Sequence, residues 1–302
     1  MQPSGRRSLP HSPPSEPSTD RQGRSELGTG ASGVRSEPER PSAPYDPFRF
    51  QSFSPLTRVA MVTGATGVLG QATVRAFLAE GFRVVVHDNS VDDLNTFVMQ
   101  LGASATAAHV YPICFDVSRP DAVAAAMHRV RNDFGDVFFL VNNNAVVSAT
   151  HALETSSDDW QYAFAQNVHS AFYVSREVLP AMRAKRFGRI INTCSLAGKT
   201  GGITTGIAYS TTKGALQTLT FSLARETARD GITVNGISYA YVQTASLERF
   251  PKEVVDQLLN SIPVGRFMQP EEFAFAVLFL CSPLAGFVTG EILDLNGGLL
   301  TD

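Results

Sequence analysis

The chain has 302 residues, of which 43% are hydrophobic and 18% charged, and its formal net charge is −3. It is long enough to bury a sizeable core, carries no basic excess for nucleic acid or an anionic membrane, and has no apolar run of the roughly 18 residues that a membrane span needs. Its three cysteines form no CxxC or cysteine–histidine pattern, which predicts no disulfide and no metal site and favours a reducing, cytoplasmic compartment.

Residues 1–55 differ in composition from the rest of the chain. They hold ten of the 17 prolines, many Ser and Gly residues, and no periodic apolar pattern. Such a segment buries too little apolar surface to offset the entropy lost on ordering. We therefore predict a disordered extension over 1–55, either a solvated tail or the result of an upstream start codon, and one domain over 56–302.

From Arg58 onward, short apolar runs alternate with helical patterns. The runs are rich in β-branched residues and continuous, which is typical of parallel strands buried on both faces. They cover residues 59–62, 84–86, 110–115, 137–141, 189–192, 232–237 and 292–295. Helical patterns cover residues 69–80, 91–102, 119–134, 156–186, 207–229 and 270–281. This alternation predicts an α/β fold, a doubly wound, Rossmann-like parallel sheet of about seven strands.

The first run leads into a glycine-rich turn, Thr63-Gly64-Ala65-Thr66-Gly67-Val68-Leu69-Gly70, at which a helix begins. Glycines let the backbone approach a pyrophosphate, and the free N–H groups and dipole of a helix N-terminus favour its negative charge. The turn predicts a nucleotide site, with an ordinary strand-to-helix turn as the alternative. Its cofactor-binding residues are Gly64, Thr66, Gly67, Leu69 and Gly70.

Asp88 ends the second apolar run. A carboxylate at this position can accept hydrogen bonds from the adenosine ribose hydroxyls and would repel a 2′-phosphate. No Arg or Lys occupies Thr66, His87 or Asn89, the positions at which a partner for such a phosphate would lie. The sequence therefore favours NAD and leaves NADP open; alternatively, Asp88 simply begins the following loop.

Two further polar segments follow strands of the predicted sheet. Asp116 and Val117 come after the third run, and Asn143 comes after the fourth. Nucleotides bind at the carboxyl ends of strands in open parallel sheets. All three residues are therefore predicted to contribute to cofactor binding.

Tyr209 and Lys213 lie four residues apart at the start of a long predicted helix. This spacing puts both side chains on one helix face. A tyrosine hydroxyl ordinarily has a pKa near 10, and a neighbouring ammonium group stabilises the phenolate. We therefore expect Lys213 to lower the pKa of Tyr209 and to make it an acid–base group at neutral pH.

Ser195 follows the fifth predicted strand and can hydrogen-bond a substrate carbonyl and the developing alkoxide. The chain has no Gly-x-Ser-x-Gly elbow, and the histidine closest along the chain is His169, within a predicted helix. A serine hydrolase is therefore not indicated. Taken alone, Ser195 is equally consistent with a helix or loop cap.

Together these motifs resemble the short-chain dehydrogenase/reductase family in its compact, single-domain branch, most closely the 3-oxoacyl-(acyl carrier protein) and acetoacetyl-CoA reductases. The resemblance covers residues 58–302. The matching segments are Thr63–Gly70, Asp116-Val117, Asn142-Asn143, Trp160 with Asn167, Gly188–Asn192, Tyr209–Lys213, Gly231–Asn235 and Leu295–Gly298.

The resemblance implies a role for each residue of the chemical site. Ser195 would orient the carbonyl, Tyr209 would exchange the proton, and Lys213 would hold the nicotinamide ribose. Asn167 would keep a water that links Lys213 to solvent, although an ordinary polar residue inside a helix is the alternative. The implied reaction is reversible hydride transfer between NAD(P) and a ketone or secondary alcohol.

The same resemblance adds Val242 and Thr244 to the predicted cofactor contacts. It also exposes departures from the family pattern: Val68 replaces a glycine, Asn144-Ala145 replace Ala-Gly, Tyr239-Ala240 replace Pro-Gly, and one extra residue separates Ser195 from Tyr209. These changes touch the cofactor loop and the substrate rim, so they bear on specificity.

The motifs and the resemblance together leave three candidate functions for the protein. The first is a 3-oxoacyl thioester reductase whose small-molecule substrate is carried on acyl carrier protein or CoA; the second is a sugar, polyol or cyclic-alcohol dehydrogenase; the third is a non-catalytic nucleotide-sensing regulator. The Tyr209/Lys213 pair argues against the third. A cluster of basic side chains could bind an acidic carrier protein, although such a cluster is more often a solvated face. Its members are Arg183, Lys185, Arg186 and Arg189.

The resemblance also implies a homotetramer. The predicted helices over 156–186 and 207–229 are long, and the chain ends in the apolar residues Leu299 and Leu300. Folding of this tail over its own substrate cleft is the alternative. The apolar helix residues expected at the subunit contact are Trp160, Phe164, Ala171, Phe172, Val174, Leu216, Leu219 and Phe221.

Overall fold

A computed structural model describes residues 58–102, 107–244, 247 and 251–301. The predicted extension over 1–55 lies outside the described residues, and so does its boundary with the domain predicted over 56–302. Both remain predictions. No helix within the described part of the chain is long and apolar enough to cross a membrane.

The described residues form a seven-stranded sheet in which every pairing is parallel. The strand order is β3-β2-β1-β4-β5-β6-β7, so the direction of winding reverses between β1 and β4. The predicted doubly wound fold is confirmed. The strands are β1 (Val59–Val62), β2 (Arg83–Asp88), β3 (Val110–Cys114), β4 (Phe139–Asn142), β5 (Gly188–Thr193), β6 (Ile232–Tyr239) and β7 (Ile292–Leu295).

Helices cover both faces of the sheet and match most of the predicted segments. The helix predicted over 156–186 is helical throughout but contains a π-helical turn at Ala165–His169. Two helices, α6 and α8, were not predicted. The helices are α1 (Val68–Ala79), α2 (Val91–Gln100), α3 (Pro120–Asp133), α4 (Ser157–Phe164), α5 (Ser170–Lys185), α6 (Ala197–Thr200), α7 (Ile207–Thr227), α8 (Lys252–Ser261) and α9 (Pro270–Cys281).

The strands are buried because both of their faces pack against helices. All four residues of β1 are fully buried, and an aromatic cluster of Phe77, Phe82 and Phe139 fills the layer beside it. The Phe82 ring lies 4.9 Å from each of the other two ring centroids. Burying a large apolar side chain contributes about 1.5–3 kcal/mol, so this cluster stabilises the packing of α1 on the sheet at the amino ends of β2 and β4.

Buried amide side chains tie the sheet to α7. Asn142 Nδ2 donates to Asn192 Oδ1 at 2.9 Å, and Asn192 Nδ2 donates to Thr220 Oγ1 at 2.8 Å. A buried polar group without a partner costs about 1–3 kcal/mol. These bonds therefore hold β4, β5 and α7 in one relative position, and α7 carries Tyr209 and Lys213.

Candidate active site

The glycine turn closes tightly between β1 and α1. Gly64 has a φ of +57°, in the left-handed region that favours glycine. A Cβ on Gly70 would lie 2.5 Å from the carbonyl oxygen of Gly64. Gly67 faces outward, since a Cβ there would meet its nearest neighbour at 3.5 Å. The turn thus requires glycine at Gly64 and Gly70 for its own backbone, and it leaves Gly67 open to the cleft.

The ends of β1 and β4 are joined at the point where the winding reverses. Thr63 Oγ1 accepts hydrogen bonds from the backbone N–H groups of Asn143 and Asn144, at 3.0 and 3.2 Å. Asn143 Nδ2 in turn donates to the Gly64 carbonyl at 2.9 Å. Asn143 therefore supports the glycine turn from the neighbouring strand end, and its contact with the cofactor stays a prediction.

Asp88 faces the glycine turn from the end of β2. Its Oδ2 accepts from the Thr66 backbone N–H at 3.2 Å and from the Thr66 hydroxyl at 2.7 Å. Its Oδ1 accepts from the Asn89 backbone N–H at 2.8 Å. The carboxylate is thus held at the rim of the cleft, where it can meet ribose hydroxyls. No lysine or arginine is among the described residues that line this cleft.

The cleft above the strand ends has a volume of about 580 Å³, within the range of about 300–1,000 Å³ of small-molecule sites. Its glycine turn, helix N-terminus and strand-end carboxylate fit a dinucleotide. Gly70 lies beneath the turn. The predicted cofactor residues that line the cleft are Gly64, Thr66, Gly67, Leu69, Asp88, Asn143, Val242 and Thr244.

Asp116 and Val117 do not line this cleft. The Asp116 carboxylate accepts from the Ser118 backbone N–H at 2.9 Å and is exposed. Val117 is fully buried, and its N–H donates to Asn89 Oδ1 at 3.3 Å. Val117 thus lies beside Asn89, the residue that follows Asp88. Because neither Asp116 nor Val117 lines the cleft, their contact with the cofactor stays a prediction.

The sequence prediction missed several residues that line the cleft. Tyr239 is the last residue of β6 and Ala240 follows it, and Val147 lies beyond the end of β4. The sequence analysis recognised Tyr239 only as a departure from the Pro-Gly of the family pattern. The rule that sites form at the carboxyl ends of parallel strands would have placed Tyr239 in the cleft. No pattern in the sequence distinguishes Val147.

Asn167 lies in the π-helical turn and is 1% exposed. Its Oδ1 accepts from the Val146 backbone N–H at 2.7 Å, and its Nδ2 donates to the Val146 carbonyl at 3.0 Å and to Thr212 Oγ1 at 2.9 Å. The bonds to Val146 match the alternative of a polar residue bonded to backbone. The bond to Thr212 also ties the π-helical turn to α7, at the residue before Lys213.

Lys213 is buried beneath the site. Its ammonium donates to the Thr193 carbonyl at the end of β5, at 2.6 Å, and lies 5.6 Å from the centroid of the Tyr209 ring. The predicted proximity of Tyr209 and Lys213 is confirmed. Burial lowers the pKa of Lys213 from 10.5 to about 8.

Ser195 lies beside Tyr209, and hydrogen bonding from the serine side chain acts to lower the pKa of Tyr209. Ser195 Oγ also accepts from the Ala197 backbone N–H at 3.2 Å, so it caps the short helix α6 as well. The expected lowering of the Tyr209 pKa was wrong for the protein alone. Burial raises the pKa of Tyr209 well above its usual value of 10.0, because the phenolate loses its hydration.

Known proteins resemble the chain over nearly all of the described region. A family model described as enoyl-(acyl carrier protein) reductase matches residues 64–300. A 3-oxoacyl-(acyl carrier protein) reductase of Thermotoga maritima is 31% identical over 245 residues, covering 80% of this chain and 98% of the relative. The same-named protein of Haemophilus influenzae is 32% identical over 248 residues, with coverages of 80% and 98%.

Solved structures agree with these relatives. A short-chain dehydrogenase/reductase named glucose/ribitol dehydrogenase, from Brucella melitensis, has a TM-score of 0.74 and 30% identity, covering 82% of this chain and 98% of that one. The chain belongs to the short-chain dehydrogenase/reductase family. Another structure, a gluconate 5-dehydrogenase of Burkholderia cenocepacia in complex with NADP and tartrate, has a TM-score of 0.76 and 28% identity, with coverages of 84% and 97%.

As a short-chain dehydrogenase/reductase, the chain is an NAD(P)-dependent oxidoreductase that acts on CH–OH groups. Its described residues contain no group of three or more His, Cys, Asp or Glu side chains able to hold a metal ion. The three cysteines all lie in the described part of the chain and are unpaired, with Cys194 and Cys281 buried.

The expected basic cluster is smaller than predicted. Arg189 is 4% exposed and stacks on Phe187, with its guanidinium 4.7 Å from the ring centroid. Arg183 pairs with Glu226 at 2.7 Å and with Asp230 at 3.0 Å. The inclusion of Arg189 was therefore wrong, because β5 lies inside the sheet and all six of its residues are buried.

The glycine turn yields a paired prediction. Gly70→Ala should lower the melting temperature by several degrees, since overpacking against backbone costs about 1–3 kcal/mol. Gly67→Ala should leave the melting temperature unchanged and weaken NAD(H) binding about ten-fold, because its methyl group would enter the cleft. Thermal unfolding and NADH fluorescence measure the two effects. Unchanged NADH affinity in Gly67→Ala would show that the pyrophosphate does not bind at this turn.

Proposed function

We propose that the protein is a reductase of 3-oxoacyl thioesters that interconverts a ketone and a secondary alcohol. The observation that carries this proposal is the convergence of Ser195, Tyr209 and Lys213 at the ends of β5 and α7, beside the nucleotide cleft. Thr193 connects the two, because its carbonyl binds Lys213 and its hydroxyl donates to Asn143 Oδ1 at 3.3 Å.

The protein groups divide the work at the carbonyl oxygen. When bound, the nicotinamide supplies a hydride to the carbonyl carbon, or accepts one from the alcohol carbon. In the reducing direction the Ser195 hydroxyl donates a hydrogen bond to the carbonyl oxygen, and Tyr209 transfers its proton to that oxygen. Lys213 stabilises the phenolate that remains, and a water held by Asn167 returns a proton from solvent.

The protonation state of Tyr209 favours reduction at neutral pH. Because burial raises the pKa of Tyr209, the hydroxyl keeps the proton that reduction consumes. Alcohol oxidation needs the phenolate and is therefore expected to accelerate as the pH rises. The physiological direction proposed here is reduction.

The substrate class rests on the relatives. The two bacterial relatives described above are named for 3-oxoacyl-(acyl carrier protein) reduction, whereas the two similar structures are named for sugar or polyol substrates. A sugar, polyol or cyclic-alcohol dehydrogenase is therefore the second candidate. The paired Tyr209 and Lys213 argue against a nucleotide-sensing regulator.

A substrate panel discriminates among these functions. It contains acetoacetyl-CoA, an acetoacetyl-(acyl carrier protein), crotonyl-CoA, gluconate, ribitol and cyclohexanol, each with NAD(H) and with NADP(H). We expect the highest kcat/KM with a 3-oxoacyl thioester. Crotonyl-CoA tests the enoyl reduction named by the matching family model. Turnover of a polyol alone would favour the second candidate. The location proposed for this enzyme is the cytoplasm, in keeping with its unpaired cysteines.

The role of Tyr209 gives a direct prediction. Tyr209→Phe should lower kcat by about 10²–10⁴-fold, the range for loss of an acid–base group. NADH affinity should change little, because the phenyl ring keeps its place. The measurement is steady-state kinetics with acetoacetyl-CoA alongside NADH fluorescence. Near-normal turnover by this variant would defeat the assignment of Tyr209 as the proton donor.

The cofactor proposed is NAD(H). Asp88 presents a carboxylate held by Thr66 at the ribose end of the cleft, and it would repel a 2′-phosphate. We expect kcat/KM to be higher with NADH than with NADPH. Asp88→Ala should reduce the ratio of these two values by at least about ten-fold, which corresponds to roughly 1.4 kcal/mol for one lost charge–charge contact. Asp92→Ala, on the exposed first turn of α2, is the matched control. A parent enzyme that prefers NADPH would contradict the proposal.

The assembly proposed is a homotetramer. Phe172 and Phe221 are 40% and 47% exposed on α5 and α7, as a subunit contact needs. The expected contributions of Ala171, Val174 and Leu216 were wrong, because these side chains are buried within the protomer.

Light scattering at micromolar concentration tests the assembly. We expect a mass near four times that of one chain, and a mass near 32.5 kDa would contradict it. Leu299 and Leu300 are partly buried within the protomer, where Asn296 Nδ2 donates to the Leu300 carbonyl at 2.8 Å. Removing residues 299–302 should nevertheless weaken assembly, because we propose that this tail forms part of the subunit contact.

A further inference from the structure

Asn144 follows the end of β4, at a position where the family pattern has alanine. Its backbone N–H donates to Thr63 Oγ1 at 3.2 Å, so its main chain is fixed against the glycine turn. Its side chain lines the nucleotide cleft together with Thr66 and Asp88. This chain therefore brings a hydrogen-bonding side chain to a part of the cleft where alanine offers none.

The Asn144 amide is bound to the π-helical turn through Gln166, which is 5% exposed. Asn144 Nδ2 donates to the Gln166 backbone carbonyl at 3.1 Å and to Gln166 Oε1 at 2.9 Å. A backbone carbonyl only accepts hydrogen bonds, so the NH₂ group of Asn144 has to face Gln166. Its Oδ1 is then the atom left for the cleft, and no donor among the described residues meets this oxygen.

The same glutamine connects Asn144 to the end of β2. Gln166 Oε1 also accepts from Asn89 Nδ2 at 3.3 Å. Asn89 follows Asp88, and its backbone N–H donates to Asp88 Oδ1 at 2.8 Å. The Asn144 amide thus lies close to the carboxylate that is proposed to hold the adenosine ribose. Because the base is bonded to that ribose, the base has to bind at this end of the cleft.

We propose that Asn144 is a specificity-determining residue for the base of the cofactor: its Oδ1, held in place by Gln166, accepts a hydrogen bond from the exocyclic amino group of adenine. This inference rests on the proposed function, in which Asp88 holds the ribose of NAD(H). An amide oxygen is an ordinary partner of the adenine amino group. Hypoxanthine carries a carbonyl oxygen at that position, and two facing acceptors form no hydrogen bond.

The bonds around Asn144 make its oxygen a selective acceptor. Turning the amide over would place Oδ1 against the Gln166 carbonyl and would take the donor at 2.9 Å away from Gln166 Oε1. Asn144 therefore cannot offer an NH₂ group to a base that lacks a donor. A site built to bond an NH group rejects an analogue without it, because the polar groups of the site are left unpaired.

Binding of NADH and of its hypoxanthine analogue, reduced deamino-NAD, tests the contact without any substrate. Both contain the fluorescent dihydronicotinamide, so fluorescence titration of the full chain gives both dissociation constants. We expect the parent to bind the analogue about ten-fold more weakly than NADH. Asn144→Ala should bring the two constants within about two-fold of each other, mainly by weakening NADH binding. It is expected to fold, because alanine is the residue of the family pattern.

Two further variants make the comparison specific. Asn132→Ala is the matched control and should keep the ten-fold ratio, because it removes an exposed amide of α3 that is bonded to His128. Gln166→Met keeps the length of the buried side chain and removes the acceptor that holds Asn144 and Asn89, so it should lower the ratio. With the best member of the substrate panel, Asn144→Ala should raise the KM for NADH and leave kcat unchanged, since Asn144 contacts no reacting atom.

The outcomes separate this inference from the proposed function. Equal affinities of the parent for the two dinucleotides would overturn the proposal, and so would a ratio that persists in Asn144→Ala. A ratio unchanged in Gln166→Met would overturn the part given to Gln166. A parent that turned over no member of the panel would defeat the proposed substrate class, and the two dissociation constants would still decide the role of Asn144. A preference for NADPH would contradict the role of Asp88, and the same ratio would then be measured with NADPH and reduced deamino-NADP.

Discussion

The buried ammonium of Lys213 is the group on which the arrangement of the site depends. Withdrawing a cation from water is costly, and here the cost appears as a pKa lowered to about 8. The bond from Lys213 to the Thr193 carbonyl fixes α7 against the end of β5. Tyr209, one helical turn earlier, is positioned by that bond. A stable core alone would favour an apolar residue at Lys213, so its presence points to chemistry.

Much of this arrangement was predictable because it depends on local pattern. Continuous β-branched runs indicate strands buried on both faces, and parallel strands all end at one edge, so the glycine turn, Asp88, Asn143 and Ser195 had to converge. The four-residue spacing of Tyr209 and Lys213 needed only helical geometry. These features follow from continuous apolar runs, from the 3.6-residue period of helices and from chain direction.

Other features depend on contacts between distant segments and carry no local signal. The π-helical turn at Ala165–His169 adds a residue to a helix whose sequence is otherwise continuous, and it turns Asn167 toward Val146 and Thr212. Helix α8, by contrast, carried a local signal that the sequence prediction missed, because Val255, Leu258 and Leu259 lie at helical spacing and are partly buried. The pKa of Tyr209 could not be predicted, because the sequence gives the neighbour on the helix but not the depth of burial.

The strand order also sets when the cleft can form during synthesis. β1 pairs with β4, and the cleft is lined by residues from Gly64 to Leu247. At roughly 5–20 residues per second, about 10–40 s separate the synthesis of those two residues on a ribosome. Throughout the first part of that interval the edge of β1 that later pairs with β4 has no partner in the sheet, although its side chains are among the most buried of the mature fold. An unpaired strand edge can pair with another chain, so the nascent chain is exposed to aggregation at this edge until β4 emerges.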